Sequence, residues 1–279
     1  MIIDSHCHIL PESFPQRLAQ LREMDATLAS LFPVANPKMA TAESLLREMD
    51  RAGVDQAVVM GMGWSDLNVA QEVNNYIIES ASRYRDRLTG FCSVNPVWGA
   101  PAVAELRRCL TAGLGGLGEL HADTQGFDIT RREEMTPLME VLQQQGLPVV
   151  VHVSEPAGHQ YPGKGQTTPD RAYRFIENFP DNIIICAHWG GGLPFYALMP
   201  EVGEVFKNVY FDTAASPFLY LPEIFSTVAN LVGSEKILFG TDHPLIAPQR
   251  VLAQVRETID DPVDLQNILG ENARRLLGR

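Results

Sequence analysis

Short apolar runs alternate with segments of helical periodicity along almost the whole chain. The apolar runs begin near residues 2, 54, 88, 114, 148, 182, 208 and 236, and each precedes a segment in which apolar residues recur every three or four positions. Nearly continuous apolar strands that alternate with helices predict a parallel sheet covered by helices. Eight such units within 279 residues predict a (β/α)8 TIM barrel, and an open doubly wound sheet is the structural alternative.

The first connection is longer than the others. Residues 11–40 form a proline-punctuated segment with one short predicted helix at residues 14–23, and we interpret this segment as a lid or an insertion. A helix is then predicted, with Thr41 as its N-cap and Gly53 at its end. Because no linker or internal repeat divides the chain, we predict a single domain over residues 1–279.

Charge and cysteine content narrow the class of protein. The net charge is −12 and the pI is about 5.0, which argues against binding to nucleic acid or to an anionic membrane. The four cysteines include no CxxC pair, so we expect reduced thiols and a cytoplasmic protein. We find no secretion signal and no apolar run of about 20 residues. We expect a small-molecule substrate, with a homo-oligomer as one assembly state.

Histidines follow the predicted strands rather than the predicted helices. His6 and His8 alternate on the first strand, so both point to one face. All seven histidines of the chain lie at or just beyond a strand's C-terminal end, at positions His6, His8, His121, His152, His159, His188 and His243. In a barrel these ends share one face, where active sites are built.

Three of these histidines and one aspartate predict a metal site. The first and eighth strands are neighbours in a closed barrel, so Asp242 at the end of the eighth can approach the ion held by His6 and His8, while His152 reaches it from the fifth. Three imidazoles and one carboxylate form a nitrogen and oxygen donor set that suits Zn²⁺, with Mn²⁺ or Fe²⁺ as alternatives. Such a site leaves room for water and is typical of catalysis.

Several motifs resemble the amidohydrolase superfamily, and most closely its amidohydrolase-2 group, which includes aminocarboxymuconate-semialdehyde decarboxylase. The resemblance is carried by Ile3-Asp-Ser-His6-Cys-His8, Pro148-Val-Val-Val-His152, Ala187-His188-Trp-Gly-Gly-Gly-Leu-Pro, Phe239-Gly-Thr-Asp242-His-Pro and Ile268-Leu-Gly-Glu-Asn-Ala-Arg-Arg-Leu. It implies a metal-dependent barrel in which His6, His8, His152 and Asp242 are metal ligands. It also implies that His188 faces the substrate.

The fourth strand departs from the binuclear members of the superfamily. Many of them carry a carboxylated lysine at this position, whereas here Glu119 stands in Gly118-Glu119-Leu120-His121. Glu119 could bridge a second metal, for which His188 would be a further ligand, or it could orient a ligating histidine. We expect one metal rather than two. Asp212, at the end of the seventh strand, is interpreted as a structural hydrogen-bonding residue.

Three functions remain open at this point. The first is hydrolysis of a small amide, lactone or ester by a metal-activated water, with Asp242 taking its proton and His188 stabilising the oxyanion. The second is non-oxidative decarboxylation of a small carboxylic acid on the same scaffold. The third is a barrel that binds metal or ligand without turnover. Because few arginines lie near strand ends to clamp a carboxylate, we favour hydrolysis.

The substrate pocket is expected to draw on residues beyond the strand ends. Aromatic residues there suit a flat or apolar substrate. The candidates are Trp64, His121, His159 and Trp189, the loops His159–Tyr161 and Phe218–Tyr220, and Arg250 as a carboxylate clamp, with Arg17 or Arg22 if the first loop folds over the site.

Overall fold

The computed structural model describes residues 1–34 and 37–278, in which eight parallel strands follow one another around a barrel. The strands are β1 Ile3–His8, β2 Gln56–Met60, β3 Leu88–Gly90, β4 Leu117–Leu120, β5 Val149–Val151, β6 Ile184–Cys186, β7 Val209–Asp212 and β8 Ile237–Leu238. They are buried along nearly their whole length, as the apolar runs predict.

Helices follow the strands and cover the outside of the barrel. They are α1 Phe14–Met24, α2 Ala26–Leu31, α3 Ala42–Ala52, α4 Leu67–Arg83, α5 Ala100–Thr111, α6 Ala122–Gln125, α7 Arg132–Gln145, α8 Pro169–Asn178, α9 Pro200–Glu204, α10 Ser216–Leu219, α11 Ile224–Val232, α12 Pro248–Thr258, α13 Pro262–Gln266 and α14 Asn272–Leu276. Short 3-10 turns lie at Pro96–Trp98, His188–Tyr196, Val205–Asn208 and Ser234–Lys236, and a π-helical turn at Asn267–Glu271 joins α13 to α14. Within the described ranges, every helix is too short or too polar to cross a bilayer.

The strand order confirms the barrel and excludes the doubly wound alternative. β1 to β3 form one sheet and β4 to β8 another, each in sequence order. Single bridges join them, between Cys92 and Leu117 on one side and between Cys7 and His243 on the other. At the second seam Ser5 N donates to the backbone oxygen of Phe239 at 2.7 Å. The first strand therefore lies beside the eighth, as the sequence predicts.

An irregularity in β1 determines which of its residues face inward. The register with β2 shifts between Asp4 and Cys7. Ile3 belongs to the apolar cluster inside the barrel, with Met60, whereas Cys7 packs into the larger cluster beneath the helices. Two residues four apart would share a face on a regular strand, so the shift turns His6 and His8 inward above Ile3.

The segment before α3 contains more structure than the sequence predicts. Its first helix is α1, as predicted, but a second helix, α2, follows, with Asp25 accepting the N–H of Leu28 at its start. Residues 35 and 36 of this predicted lid lie outside the described residues. The backbone N–H of Leu10 donates to the oxygen of Ala40 at 2.8 Å, which holds the end of the segment beside β1.

Candidate active site

A cavity of about 530 Å³ opens at the C-terminal ends of the strands. Acidic and histidine side chains form its inner end, and apolar and aromatic side chains from the loops form its mouth. The lining residues are His8, Leu31, Phe32, Val34, Pro37, Lys38, Met62, Glu119, His121, His152, His159, Tyr161, Pro162, His188, Ala215, Phe218, Leu219, Asp242, Pro244 and Leu245. This is the rim at which the sequence places its histidines.

The first histidine pair is held by partners on the opposite ring nitrogens. The Nδ1–H of His6 donates to Asp212 Oδ2 at 2.8 Å, and the Nδ1–H of His8 donates to the backbone oxygen of Met60 at 3.3 Å. Both Nε2 atoms therefore carry lone pairs, and they lie 3.1 Å apart. Two lone pairs at this distance repel each other unless a proton or a cation lies between them.

Glu119 lies between this pair and a second one. Its Oε2 is 3.6 Å from His6 Nε2 and 3.7 Å from His8 Nε2. Its Oε1 is 2.9 Å from Nδ1 of His152, the residue that follows β5, and 3.4 Å from Nε2 of His188, just after β6. In the described ranges, two groups of three side chains have possible metal-ligand atoms that all lie within 4.8 Å of one another. The first group is His6, His8 and Glu119, and the second is Glu119, His152 and His188.

A left-handed turn after β6 directs His188 into the barrel. His188 and Trp189 have φ values of 56° and 58°, and the three glycines that follow continue the same backbone conformation. A Cβ on Gly191 would lie 2.5 Å from the backbone oxygen of Ser154, so only glycine fits at this close approach. The N–H of His188 donates to Asp212 Oδ1 at 2.9 Å, which fixes the start of the turn.

Asp242 completes the inner end beside His8. It has a φ of 63°, and its Oδ1 lies 3.3 Å from His8 Nε2. Burial alone would raise the pKa of Asp242, but the hydrogen bond and charge of His8, together with His188 and His6, outweigh it and lower this pKa to about 2. Asp242 is therefore a carboxylate at neutral pH.

Charges within the cluster oppose the effect of burial. Burial disfavours the charged forms of both Glu119 and His6, yet the pKa of Glu119 lies well below its usual value and that of His6 well above. For His188, burial lowers the pKa, but the hydrogen bond and charge of Glu119 raise it to about 9. Without a cation, His6 and His188 are therefore protonated at neutral pH.

The donor set fits a divalent cation. The donors are imidazole nitrogens and carboxylate oxygens, with each histidine of the first pair oriented by a hydrogen bond on its other nitrogen. Their separations within the two groups run from 2.9 to 3.7 Å. Two ligands on one tetrahedral ion with bonds of about 2.0–2.1 Å lie about 3.3–3.4 Å apart. A cation would replace the protons that now separate the lone pairs.

The structure places the predicted ligands differently from the expectation in one respect. His152 was expected to share one ion with His6 and His8. It lies instead in the second group, with Glu119 and His188. The reason is the width of the barrel. Because β5 lies across the barrel from β1, the side chain of His152 contacts Glu119 before it can reach His6 and His8.

Two of the single residues predicted to bind substrate, His121 and His159, line the cavity, and so do Tyr161, Phe218 and Leu219 of the two predicted loops. The ring of His121 stacks on that of His152 with centroids 4.1 Å apart, and its Nε2–H donates to the backbone oxygen of Gly163 at 2.8 Å. Burial and the nearby charge of His152 lower the pKa of His121 to about 4. His159 lies at the mouth, exposed to solvent beside Tyr161.

Three other predicted residues lie away from the cavity. Trp64 and Trp189 are fully buried in the apolar cluster beneath the helices, where Trp189 Nε1 donates to Ser216 Oγ at 2.7 Å. Arg250 lies on α12 with its guanidinium 5.2 Å from the Phe218 ring centroid. The large apolar surface of tryptophan favours burial even after a strand end.

The carboxylate clamps suggested from the first loop are also engaged elsewhere. Arg17 forms an ion pair with Glu72 at 2.6 Å, and Arg22 donates to the backbone oxygen of Val34. Lys38, in the same predicted lid, lines the cavity instead and was missed. A lone lysine in a polar, non-periodic segment carries no sequence signal, and only the packing of residues 37–40 beside β1 brings it to the mouth.

Comparison with known proteins gives a consistent result. A family model described as Amidohydrolase matches residues 3–279. A 2-amino-3-carboxymuconate-6-semialdehyde decarboxylase of Dictyostelium discoideum is 25% identical over 329 residues, covering 99% of this chain and 91% of that protein. The structure of 5-carboxyvanillate decarboxylase LigW from Sphingomonas paucimobilis matches with a TM-score of 0.80 and 17% identity, over 99% of this chain and 98% of that one.

A further solved structure carries a metal. It is a dihydroxybenzoic acid decarboxylase from Polaromonas sp. JS666 with bound manganese and the inhibitor 2-nitroresorcinol. It matches with a TM-score of 0.75 and 18% identity, over 99% of this chain and 96% of that one. These structural likenesses support the barrel.

The comparisons overturn the expectation of hydrolysis. That expectation rested on the scarcity of arginines near the strand ends, yet the relative and the solved neighbours described above are decarboxylases. The decarboxylase alternative fits these findings better. The scarcity of arginine was a poor guide because a carboxylate can also be held by a metal ion and by lysine.

Proposed function

Since the chain belongs to the amidohydrolase family, whose model spans residues 3–279, we propose that it is a metal-dependent decarboxylase of an aromatic carboxylic acid. The supporting observation is one cavity with a donor cluster at its inner end and a proton-bearing His188 beside that cluster. The decarboxylase relative, which matches along nearly the whole chain, supports the reaction type.

We propose that His6, His8, Glu119 and Asp242 hold the catalytic cation. When bound, a divalent ion would act as a Lewis acid that binds and polarises the carboxylate of the substrate. Zn²⁺ and Mn²⁺ both accept this nitrogen and oxygen donor set. Asp212, through its 2.8 Å hydrogen bond, would keep His6 in the tautomer that presents Nε2.

The apolar cavity wall suits a flat ring. Leu31, Phe32, Met62 and Leu219 line the cavity and would enclose the ring and exclude water from the reacting carbon. The carboxylate would then point to the inner end, where the cationic groups lie. The net charge of −12 and the four buried, free cysteines fit a small-molecule enzyme of the cytoplasm, and a homo-oligomer remains our expectation.

His188 would supply the proton. Its imidazolium would protonate the ring carbon that bears the carboxylate, the bond between that carbon and the carboxyl group would break, and its electrons would restore the aromatic ring as CO₂ leaves. The neutral His188 would then regain a proton from water. The reaction consumes one proton and needs no oxidant or reductant.

The test is CO₂ release by protein loaded with limiting Mn²⁺ or Zn²⁺, on a panel of hydroxybenzoic and related aromatic acids. Amides, lactones and esters serve as negative substrates. His188→Gln should lower the rate by about 10²–10⁴-fold while the bound metal is retained. His159→Gln, the matched change at the mouth, should act on KM rather than on kcat. Equal rates for His188→Gln and wild type would refute the role of His188, and an inert panel would refute the reaction.

A further inference from the structure

We propose that the substrate is an aromatic acid with a second apolar ring. The ring that bears the carboxylate would lie towards the inner end of the cavity, and the second ring would lie in the mouth between Phe218 and Leu245. This inference rests on the proposed function and names the class of substrate that the same site accepts. It is drawn from the size of the cavity, from the side on which the cavity opens, and from the chemistry of its wall.

The cavity is larger than one ring requires. A cavity of about 150 Å³ holds one benzene molecule, and one water molecule takes about 30 Å³. The cavity at the strand ends measures about 530 Å³. Even when a cation, its water ligands and the carboxylate fill the inner end, the remaining space takes roughly two rings. An acid with one ring would leave much of the apolar wall in contact with water, which weakens binding.

Helix α2 closes the cavity on the side of β2 to β5. At the start of α2, Asp25 accepts the backbone N–H groups of Ser65 and Asp66, in the loop after β2, at 2.7 and 2.9 Å. At its other end, Leu31 packs against Gly163 in the loop after β5, where an added Cβ would lie 2.6 Å from Leu31 Cδ2. Because α2 spans these two loops, a substrate cannot extend out of the cavity on this side.

The loops after β7 and β8 leave apolar side chains open at the mouth. Phe218 and Leu245 line the cavity and expose 49% and 44% of their surface. The strands follow one another in order around the barrel, so β7 and β8 lie across from the side that α2 closes. The Arg250 guanidinium lies 5.2 Å from the Phe218 ring centroid, and the rest of the exposed ring faces solvent. A second ring placed here would cover apolar surface that water now contacts.

The polar groups of the wall favour an apolar extension over a polar one. The Tyr161 hydroxyl already donates to Glu155 Oε2 at 2.8 Å, and the Nε2–H of His121 already donates to a backbone oxygen at 2.8 Å. Outside the inner end, the other polar side chains of the wall in the described ranges are Lys38 and His159, which are both exposed. An extension rich in hydroxyl groups would therefore lose hydration without gaining hydrogen bonds.

Binding measured apart from turnover tests the size of the substrate. The probes are 2-nitrophenol, its 4-phenyl and 5-phenyl derivatives, and 1-nitro-2-naphthol, titrated calorimetrically into full-length protein loaded with Mn²⁺. A nitro group has the flat shape of a carboxylate but cannot leave as CO₂, so these probes report binding alone. We expect at least one two-ring probe to bind about tenfold to a hundredfold more tightly than 2-nitrophenol.

Variants at the mouth locate the second ring. Phe218→Ala and Leu245→Ala should each reduce the gain from the second ring by about threefold to tenfold, while the affinity for 2-nitrophenol changes little. Phe195→Ala is the matched control, because Phe195 is 45% exposed on the loop after β6 and is not among the residues that line the cavity. It should keep the full gain. All three side chains are about half exposed, so the variants should fold.

Different results would overturn different conclusions. Two-ring probes that all bind no more tightly than 2-nitrophenol would refute the inference, whatever reaction the protein catalyses. A gain that Phe218→Ala and Leu245→Ala leave unchanged would show that the second ring binds elsewhere and would refute its place in the mouth. A gain that both variants reduce, with no CO₂ release from any aromatic acid, would support the two-ring ligand and count against the proposed function instead.

Discussion

The inner end and the mouth of the cavity are built in different ways. At the inner end, His6 and Glu119 lie on strands and His152 directly follows one, and each has a hydrogen-bonding or ionic partner within 4 Å. At the mouth, Phe218 lies on the short helix α10 and Leu245 in a loop, and they expose 49% and 44% of their surface. On the proposed function, the sheet therefore holds the groups that act on the substrate, whereas the loops select the substrate. Substitutions at the two ends should separate catalysis from binding.

The largest effect should come from the inner end. His8→Ala removes the ring nitrogen that lies between His6 Nε2 and the carboxylate of Asp242. We expect loss of the cation at that pair and a fall in CO₂ release of about three orders of magnitude or more, because the carboxylate loses its Lewis acid. Metal analysis together with turnover checks this. A variant that kept wild-type metal content and rate would show that His8 is not a ligand.

Asp212→Asn should have a smaller effect at the same end. Asp212 is not among the residues that line the cavity, yet it accepts hydrogen bonds from His6 Nδ1 and from the backbone of His188. An amide in its place weakens the bond that fixes the tautomer of His6. We expect metal affinity to fall about 10–100-fold, while saturating Mn²⁺ restores most of the rate. If excess metal failed to restore turnover, Asp212 would act in some way other than positioning.

The same contrast explains what the sequence could predict. Strand ends are readable from apolar runs, so the rim histidines, Glu119 and Asp242 were identified without a structure. Which of these residues lie close to one another was not predicted, because spacing along the chain does not set distances across a barrel. His152 therefore joined His188 rather than His6 and His8.

Loop residues were harder still. Trp64 and Trp189 follow strands, as the rim histidines do, but their apolar side chains are buried in the core. Three glycines follow β6 in the sequence, but nothing in that pattern indicates that a left-handed conformation begins at His188 itself. These outcomes depend on which neighbours a loop meets, and no periodic pattern encodes that.

Protonation offers a way to probe the inner end in metal-free protein. The pKa of His188 is raised to about 9 from an ordinary value near 6.5. Its proton therefore stabilises the fold fully below about pH 6.5, and this contribution is lost as the pH rises towards 9. We expect the free energy of unfolding to fall by on the order of 1–3 kcal/mol across that interval.

Denaturant titrations of stripped protein at the two ends of this pH interval measure the change. His188→Gln has no such proton, so its stability should vary less over the same interval. Equal losses in the variant and the wild type would assign the pH dependence to other groups. Saturation with Mn²⁺ should also flatten the wild-type profile, because the cation replaces the protons of the cluster.

The smallest effect should come from the mouth. Of the lysines and arginines in the described ranges, Lys38 is the one that lines the cavity, whereas Arg250 lies over the ring of Phe218. Lys38→Met should raise KM for an aromatic acid about threefold to tenfold and leave kcat nearly unchanged, since an exposed ammonium attracts the anionic substrate but does not touch the reacting carbon.

Arg250→Met removes the same charge from the neighbouring surface and should leave both constants near wild type. Equal rises in KM for the two variants would mean that the mouth attracts its substrate by general charge rather than by a defined contact with Lys38. A fall in kcat for Lys38→Met would place that lysine among the inner-end groups and would break the division of labour between the two ends.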